Sequence, residues 1–329
     1  MDGAFFLMNW LYLGMDWLYS VVTPGSLVLT IVIATLIIRG ITIFSDINTR
    51  KQSMKTAQIQ PELDKLKKKY PRQDQAQELS QAQMKLMKEN GISMFAGCLP
   101  MIITLVVFMS FFSAFRFWGY NEMAKVIYDT SVDEQKGIEE FEKFGFLWVK
   151  NIWQPDNMTK NVVMVSNEFF KIDLHKLDCV KNDEKIAEDF VKWGWIGVEE
   201  KTDENGNVTK TYTKITDPSK EAVDKYVEIS NKIRSHYDSE ANGYFVLPVI
   251  AAVLNFLSAW VMRKSQPKNQ NNPMGNGNFM LFLMPALSFY FCLSYTSAFA
   301  IYWSISCLIS VAVNVVLSKK YSVKPIENK

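Results

Sequence analysis

Five apolar runs without a single aspartate or glutamate constrain this sequence more than any other feature. They lie at 26–44, 95–118, 244–262, 279–296 and 298–317. Each approaches the roughly 20 residues that a helix needs to cross a hydrocarbon core about 30 Å thick. Backbone polar groups in such runs must be paired within the segment itself, so the runs are expected to be helices. A soluble chain of 329 residues would spread its apolar residues over amphipathic elements, whereas here they are bunched. The average hydropathy is near zero only because the polar stretch 119–243 dilutes these runs. Four cysteines (Cys98, Cys179, Cys292, Cys307) and two histidines (His175, His236) offer neither a disulfide framework nor a metal-ligand cluster.

Residues 1–25 are also rich in Phe, Leu, Trp and Tyr, with no Lys or Arg before Arg39, so they do not read as a standard signal peptide. Trp10, Tyr12, Trp17 and Tyr19 suit a headgroup boundary, and we read an interfacial amphipathic helix that Thr23-Pro24-Gly25 turns into the first span. A sixth span is the competing reading, because apolar content alone does not separate lying from crossing.

Basic residues set the expected orientation. The segment Ser45–Ala96 carries ten Lys or Arg against six acids, and Gly119–Gly243 carries 17 against 25. The short segment Arg263–Asn278 has three basic residues and no acid, and the tail after Leu317 has four lysines and one acid. Short basic segments stay inside, which places the N-terminus outside and the C-terminus in the cytoplasm.

Residues 45–94 are expected to form a cytosolic helical hairpin turning at Pro71, with apolar positions such as Ile59, Leu63, Leu66, Leu86 and Met87 at helical spacing. Its run Lys65-Leu66-Lys67-Lys68-Lys69 is either a solvated, orientation-setting face or a contact for lipid headgroups or ribosomal RNA. The outer segment 119–243 holds Trp148, Trp153, Trp193 and Trp195, too many for a disordered chain. Strand-like content at Ile196–Lys201 and Val208–Ile215 around Asn205-Gly206 predicts a hairpin, and Asp224–His236 predicts a helix. We expect 157–242 to form its own small apolar cluster.

Inside the spans the informative residue is Arg39. Thirteen positions beyond Ser26, it lies about 20 Å down the helix, in the inner half of the bilayer. An arginine near the bilayer centre costs roughly 2.5–3.5 kcal/mol or more, so it is expected to face water or protein unless it snorkels to the inner surface. No span offers a carboxylate to pair with it. Thr35, Thr104, Asn255, Asn314 and several serines are each expected as helix-packing contacts, and together with Arg39 they can line a polar groove. The missing carboxylates argue against a proton-coupled transporter, and no phosphate loop, nucleophile or zinc motif suggests an enzyme.

Several motifs then resemble the YidC/Oxa/Alb family of membrane-protein insertases. They are Leu36-Ile37-Ile38-Arg39, Gln60-Pro61-Glu62-Leu63, Phe95-Ala96-Gly97-Cys98-Leu99-Pro100, Phe146-Leu147-Trp148, Gln154-Pro155-Asp156, Tyr244-Phe245-Val246-Leu247-Pro248 and Ile301-Tyr302-Trp303, in that order. The resemblance implies an all-α integral membrane fold: a five-transmembrane-helix core, a cytosolic helical hairpin and an extracytoplasmic mixed α/β insertion. It implies a hydrophilic groove open to cytoplasm and lipid and closed toward the outside, with Arg39, Thr35, Asn255 and Trp303 as groove residues. The family's Gln-x-Pro is Thr104-Leu105-Val106 here, its Asn-Pro is Ser93-Met94, and a polar position is Cys307, which implies a less polar groove.

The activity implied is insertion and folding of nascent membrane proteins in the plasma membrane. No cofactor is implied and no DNA partner, whereas membrane lipids, the ribosome and a Sec-type translocon are candidate partners. The competing classes are a small-solute anion channel or transporter built on Arg39, and a membrane-anchored receptor or scaffold whose outer segment does the work.

Overall fold

The computed structural model describes residues 3–92, 99–202, 208–264 and 277–320. Two compact units emerge. The first combines Met1–Ile31, Ser110–Leu247 and Cys292–Ala300; the second combines Val32–Met109, Pro248–Phe291 and Ile301–Lys329.

In the first unit, α1 (Gly3–Trp17) ends in a wider turn at Leu18–Val22. Tyr12, Met15 and Leu18 recur every three residues and are buried, while Trp10, Leu13 and Trp17 are exposed. Both its buried and its exposed faces carry apolar side chains, and Tyr12 packs edge-on against Phe117 at 5.0 Å. Thr23 closes the turn by donating both its amide and its hydroxyl to the Leu18 carbonyl, and Gly25 takes φ +81°. Glycine adopts that left-handed conformation without the cost other residues meet, and the chain turns here into α2 (Leu27–Gln58).

Helix α5 (Leu99–Val132) continues well beyond the expected end at 118. No proline or glycine follows Gly119 up to Val132, and Met123, Ala124, Ile127 and Tyr128 are buried, so packing carries the helix onward. After α6 (Glu134–Glu142) the strap Asn151–Asp156 is buried and held by hydrogen bonds from remote parts of the chain, while the buried Trp153 indole N–H has no partner among the described residues. Asn242 accepts from the Asn151 amide through Oδ1 and donates through Nδ2 to the carbonyls of Asn151, Gln154 and Pro155. Gln154 O accepts from both the amide and hydroxyl of Ser297, and Ile152 O accepts from the Ala298 amide.

Asp156 completes the strap. Its Oδ1 accepts from the amides of Tyr244 (2.6 Å) and Phe245 (3.2 Å), and its Oδ2 from Leu247 (2.7 Å) and the Trp148 indole (3.1 Å). A carboxylate from a remote part of the chain thus caps the amides that open α11 (Val246–Lys264). Gly243 abuts this carboxylate so closely that a Cβ would collide with it, and Phe245 is held at φ +66°.

The segment 157–242 leaves and returns at this clamp, where Asn242 N donates to Lys160 O and Val162 N to Glu240 O. Its secondary structure is α7 (Ser166–Phe169), α8 (Asp178–Asn182), α9 (Glu184–Lys192), antiparallel strands β1 (Ile196–Thr202) and β2 (Val208–Lys214), and α10 (Lys220–Arg234). The register pairs Ile196 with Lys214 and Thr202 with Val208, while the Asn205-Gly206 turn lies outside the described residues. The short helices α7 and α8 are too brief to display periodicity, whereas α9 buries Ile186, Ala187 and Phe190 on one face. An aromatic cluster fills the interior: Phe169 stacks on Tyr226 at 4.3 Å, Phe190 lies 4.9 Å from Trp195, and the Trp195 indole donates to Ala222 O.

In the second unit, α2 (Leu27–Gln58) runs uninterrupted past the expected end of its apolar stretch at 44. The chain between 45 and 58 contains no Pro or Gly, so nothing stops the helix until Pro61 removes an amide in the first turn of α3 (Gln60–Lys69). The hairpin therefore consists of the end of α2, α3 and α4 (Ala76–Glu89), with its turn near Pro71. Ile59, Leu63 and Ile92 form its small core, with Leu86 and Met87 packed against them. The unit also contains parts of α11, α12 (Gly277–Ser294, interrupted by Pro285) and α13 (Ser297–Lys320).

Among the described residues, three stretches are long and apolar enough to cross a membrane: Leu27–Thr56, Val246–Arg263 and Ser297–Leu317. Leu281–Ser294 is a shorter apolar helix. Leu36, Ile41, Phe44, Val253, Phe282, Leu308 and Val316 are exposed on these helices, a pattern that suits lipid as solvent. The motif 93–98 and the segment 265–276 lie outside the described residues.

Replacing the capping carboxylate should be costly. Asp156→Ala leaves several buried amides unpaired at about 1–3 kcal/mol each, so the full-length protein should lose on the order of 3 kcal/mol. A fall in midpoint of about 5 °C or more in thermal unfolding checks this, and an unchanged midpoint contradicts it.

Candidate functional site

The polar residues of the second unit converge on α13. Arg39 is half-buried on α2, one turn after buried Thr35 and next to buried Ile38. Its Nη2 donates to the Ser306 carbonyl at 3.1 Å and to the Ser310 hydroxyl, and Ser310 in turn donates to Ser306 O at 2.9 Å. Ser306 and Ser310 are four residues apart, so they stand one above the other on the helix face that meets the guanidinium. Among the described residues Arg39 has no carboxylate partner, and its buried Nε has no hydrogen-bond partner.

A second node lies on α12. Ser288 is buried, and its hydroxyl oxygen accepts from Asn255 Nδ2 of α11 at 2.7 Å and from the Trp303 indole of α13 at 3.1 Å. A hydroxyl has two acceptor lone pairs, so one serine joins three helices. Cys307 and Tyr302 are buried on α13 beside these residues. Arg39 with Ser306 and Ser310, and Ser288 with Asn255 and Trp303, are two polar nodes that share α13 inside otherwise apolar helices. The Ser304 hydroxyl is buried with no hydrogen-bond partner among the described residues. Farther along, Asn314 donates to Ser258 at 3.1 Å, a separate link between α11 and α13.

Thr35 is fully buried one turn before Arg39. Thr104 lies within α5, but its side chain is outside the described residues. Ser288, Ser306 and Ser310 are the participants that sequence reasoning did not single out from the other serines. For Ser306 and Ser310, their spacing from each other and from Trp303 was the available signal; Ser288 had none, because serine is common in helix packing. Nothing in the cluster is arranged for bond-making chemistry: it offers one fixed positive charge, hydroxyls and amides.

The shared acceptor can be tested against the single link. Ser288→Ala strands two donors and should cost about 1–2 kcal/mol, whereas Ser258→Ala strands one and should cost less than 1 kcal/mol. Thermal unfolding of both variants in the same detergent compares them, and equal midpoints would remove Ser288 as a node.

A family model described as 60Kd inner membrane protein matches residues 17–190 and 209–324. The membrane protein insertase YidC of Clostridium perfringens is 30% identical over 129 residues, covering 39% of this chain and 45% of that protein. Membrane protein insertase YidC 2 of Bacillus anthracis is 40% identical over 88 residues, covering 26% of this chain and 34% of that protein. The chloroplastic inner membrane protein PPF-1 of Pisum sativum is 22% identical over 330 positions, covering 99% of this chain and 56% of that protein. The chain thus matches about half or less of the length of these relatives. The family match, in contrast, extends over the Arg39 helix, the hairpin, the clamp at Asp156 and all three helices that meet at Ser288, interrupted only at 191–208. On that basis the chain belongs to the 60Kd inner membrane protein family, the YidC/Oxa/Alb group of membrane-protein insertases.

Proposed function

We propose that this chain inserts nascent membrane proteins, and that Arg39 and the polar cluster around it form the groove along which a substrate's short outer tail enters the membrane. The observation that carries the reading is a guanidinium inside apolar helices whose contacts are neutral oxygens of α13. A charge paired with a carboxylate would be neutralised locally, whereas this one keeps its field for an incoming anion. The buried Nε of Arg39 and Oγ of Ser304 are available to a polar chain or to water. A tail bearing Asp or Glu then crosses a shorter dry layer, and partitioning of the following apolar segment, at about 25 cal/mol per Å², drives the process without nucleotide.

The architecture in this reading is a five-span core formed by 26–44, 95–118, 244–262, 279–296 and 298–317. The N-terminus is outside, 45–94 and 263–278 face the cytoplasm, and α1 lies in the interface with its exposed tryptophans toward lipid. The strap Asn151–Asp156 is bonded to the residues that open α11 and α13, and in this reading it lies on the outer side. The lysines of α3 are in this reading a surface for anionic headgroups or ribosomal RNA. Work beside a ribosome or a Sec-type translocon is consistent with it.

Purified variants, matched for folded amount in liposomes, test the role of the charge. Arg39→Ala should slow insertion of single-span substrates with two or more acidic tail residues roughly tenfold, equivalent to about 1.4 kcal/mol in the barrier, and neutral-tail substrates much less. Arg39→Lys should keep partial activity because the charge remains while the planar fork is lost. Equal rates for Arg39→Ala and the parent across the tail series would exclude the electrostatic role.

A further inference from the structure

A second arginine lies outside this cluster, on the first unit's part of α5. Phe112, Arg116 and Tyr120 follow one another at four-residue intervals and so form one stripe along the helix. The Arg116 guanidinium lies 5.8 Å from the centre of the Phe112 ring and 5.4 Å from that of Tyr120, and its Nη2 donates to the Tyr120 hydroxyl at 2.8 Å. Phe112 is itself set against Tyr295 at 4.6 Å and Phe299 at 5.6 Å, so the ring flanking the charge is held in place. The core-facing side of the helix carries Phe111, Ala114, Phe115 and Trp118, all buried, whereas Arg116 is exposed. Val106 and Met109, also exposed, precede it toward the start of the helix.

We propose that Arg116, with Phe112 and Tyr120, is a binding site for the phosphate of an anionic membrane phospholipid. The exposed face of α5 is apolar at Val106 and Met109 and becomes cationic at Arg116, about 15 Å farther along at 1.5 Å per residue. That sequence of solvents matches the passage from acyl chain to headgroup, where tyrosine and other aromatic side chains concentrate. Among the described residues no carboxylate pairs with Arg116. The Tyr120 contact uses one of five guanidinium donors and leaves enough of the planar fork for two parallel bonds to phosphate oxygens. The flanking rings hold the cation through their electron-rich faces and limit its rotamers. The site goes beyond the insertion activity and rests only on 95–118 crossing the membrane.

Native mass spectrometry of the full-length protein tests this, with equal amounts of phosphatidylglycerol and phosphatidylcholine offered and bound lipids counted. The parent should retain phosphatidylglycerol preferentially, and Arg116→Gln should lower its occupancy about fivefold. Arg116→Lys should give an intermediate value. Phe112→Leu, which keeps the charge and removes the flanking ring, should also weaken retention. Arg39→Ala should leave it unchanged, which separates this site from the insertion groove. Inorganic phosphate at millimolar concentration should fail to displace the lipid; complete displacement would mean a general anion site and overturn the lipid assignment. Equal phosphatidylglycerol occupancy in the parent and Arg116→Gln would overturn the proposal. Should Arg116→Gln fail to fold, unchanged occupancy in both Arg116→Lys and Phe112→Leu would do the same.

Discussion

The positive charge of Arg39 among neutral partners is the constraint on which the functional reading depends. An ionised group costs several kcal/mol to remove from water, and a protein retains one in an apolar bundle only where something compensates it. Here the Ser306 carbonyl and the Ser310 hydroxyl supply part of that compensation. They orient the guanidinium without cancelling its charge. The helices around it are tied by further neutral polar links, above all the Asn255–Ser288–Trp303 junction, which can hold three helices together without adding an opposing charge.

Asp156 illustrates the opposite use of a buried charge. Four donors fill its two oxygens, leaving it little capacity to respond to anything that passes. It acts as a cap and a clamp, fixing the start of α11 and closing the neck through which 157–242 departs and returns. The same low dielectric that penalises unpaired groups makes such a saturated network rigid. Saturation thus separates the carboxylate of Asp156 from the guanidinium of Arg39, although both are charges held away from bulk water.

Much of this organisation was legible before any coordinates, for a simple reason. Polar residues stand out in apolar runs, so Arg39, Asn255 and Trp303 could be picked from the sequence, and each makes a polar contact: Arg39 with Ser306 and Ser310, Asn255 and Trp303 with Ser288. The hairpin strands 196–202 and 208–214 were legible from their β-branched content. Helix ends were not: α2 and α5 overrun their apolar stretches because no proline or glycine stops α2 and side-chain packing extends α5. Asp156 could be noticed as part of a motif, but its capping role joins residues 88 positions apart and no local pattern carries that information. Ser288 was equally silent, since its importance comes from two partners on other helices.

The central claim is that the Arg39 cluster is wet and electropositive from the cytoplasmic side, and a single cysteine there measures it most directly. With the four native cysteines replaced by serine, Asn255→Cys places a thiol within the cluster, at a half-buried position. In sealed vesicles the account predicts labelling by small charged thiol reagents from the cytoplasmic face only. An anionic reagent should react several-fold faster than a cationic one of equal size, and the preference should vanish in Arg39→Ala. A thiol that stays unreactive until the protein is denatured, or that reacts with both reagents at the same rate, would contradict a hydrated, positively charged groove.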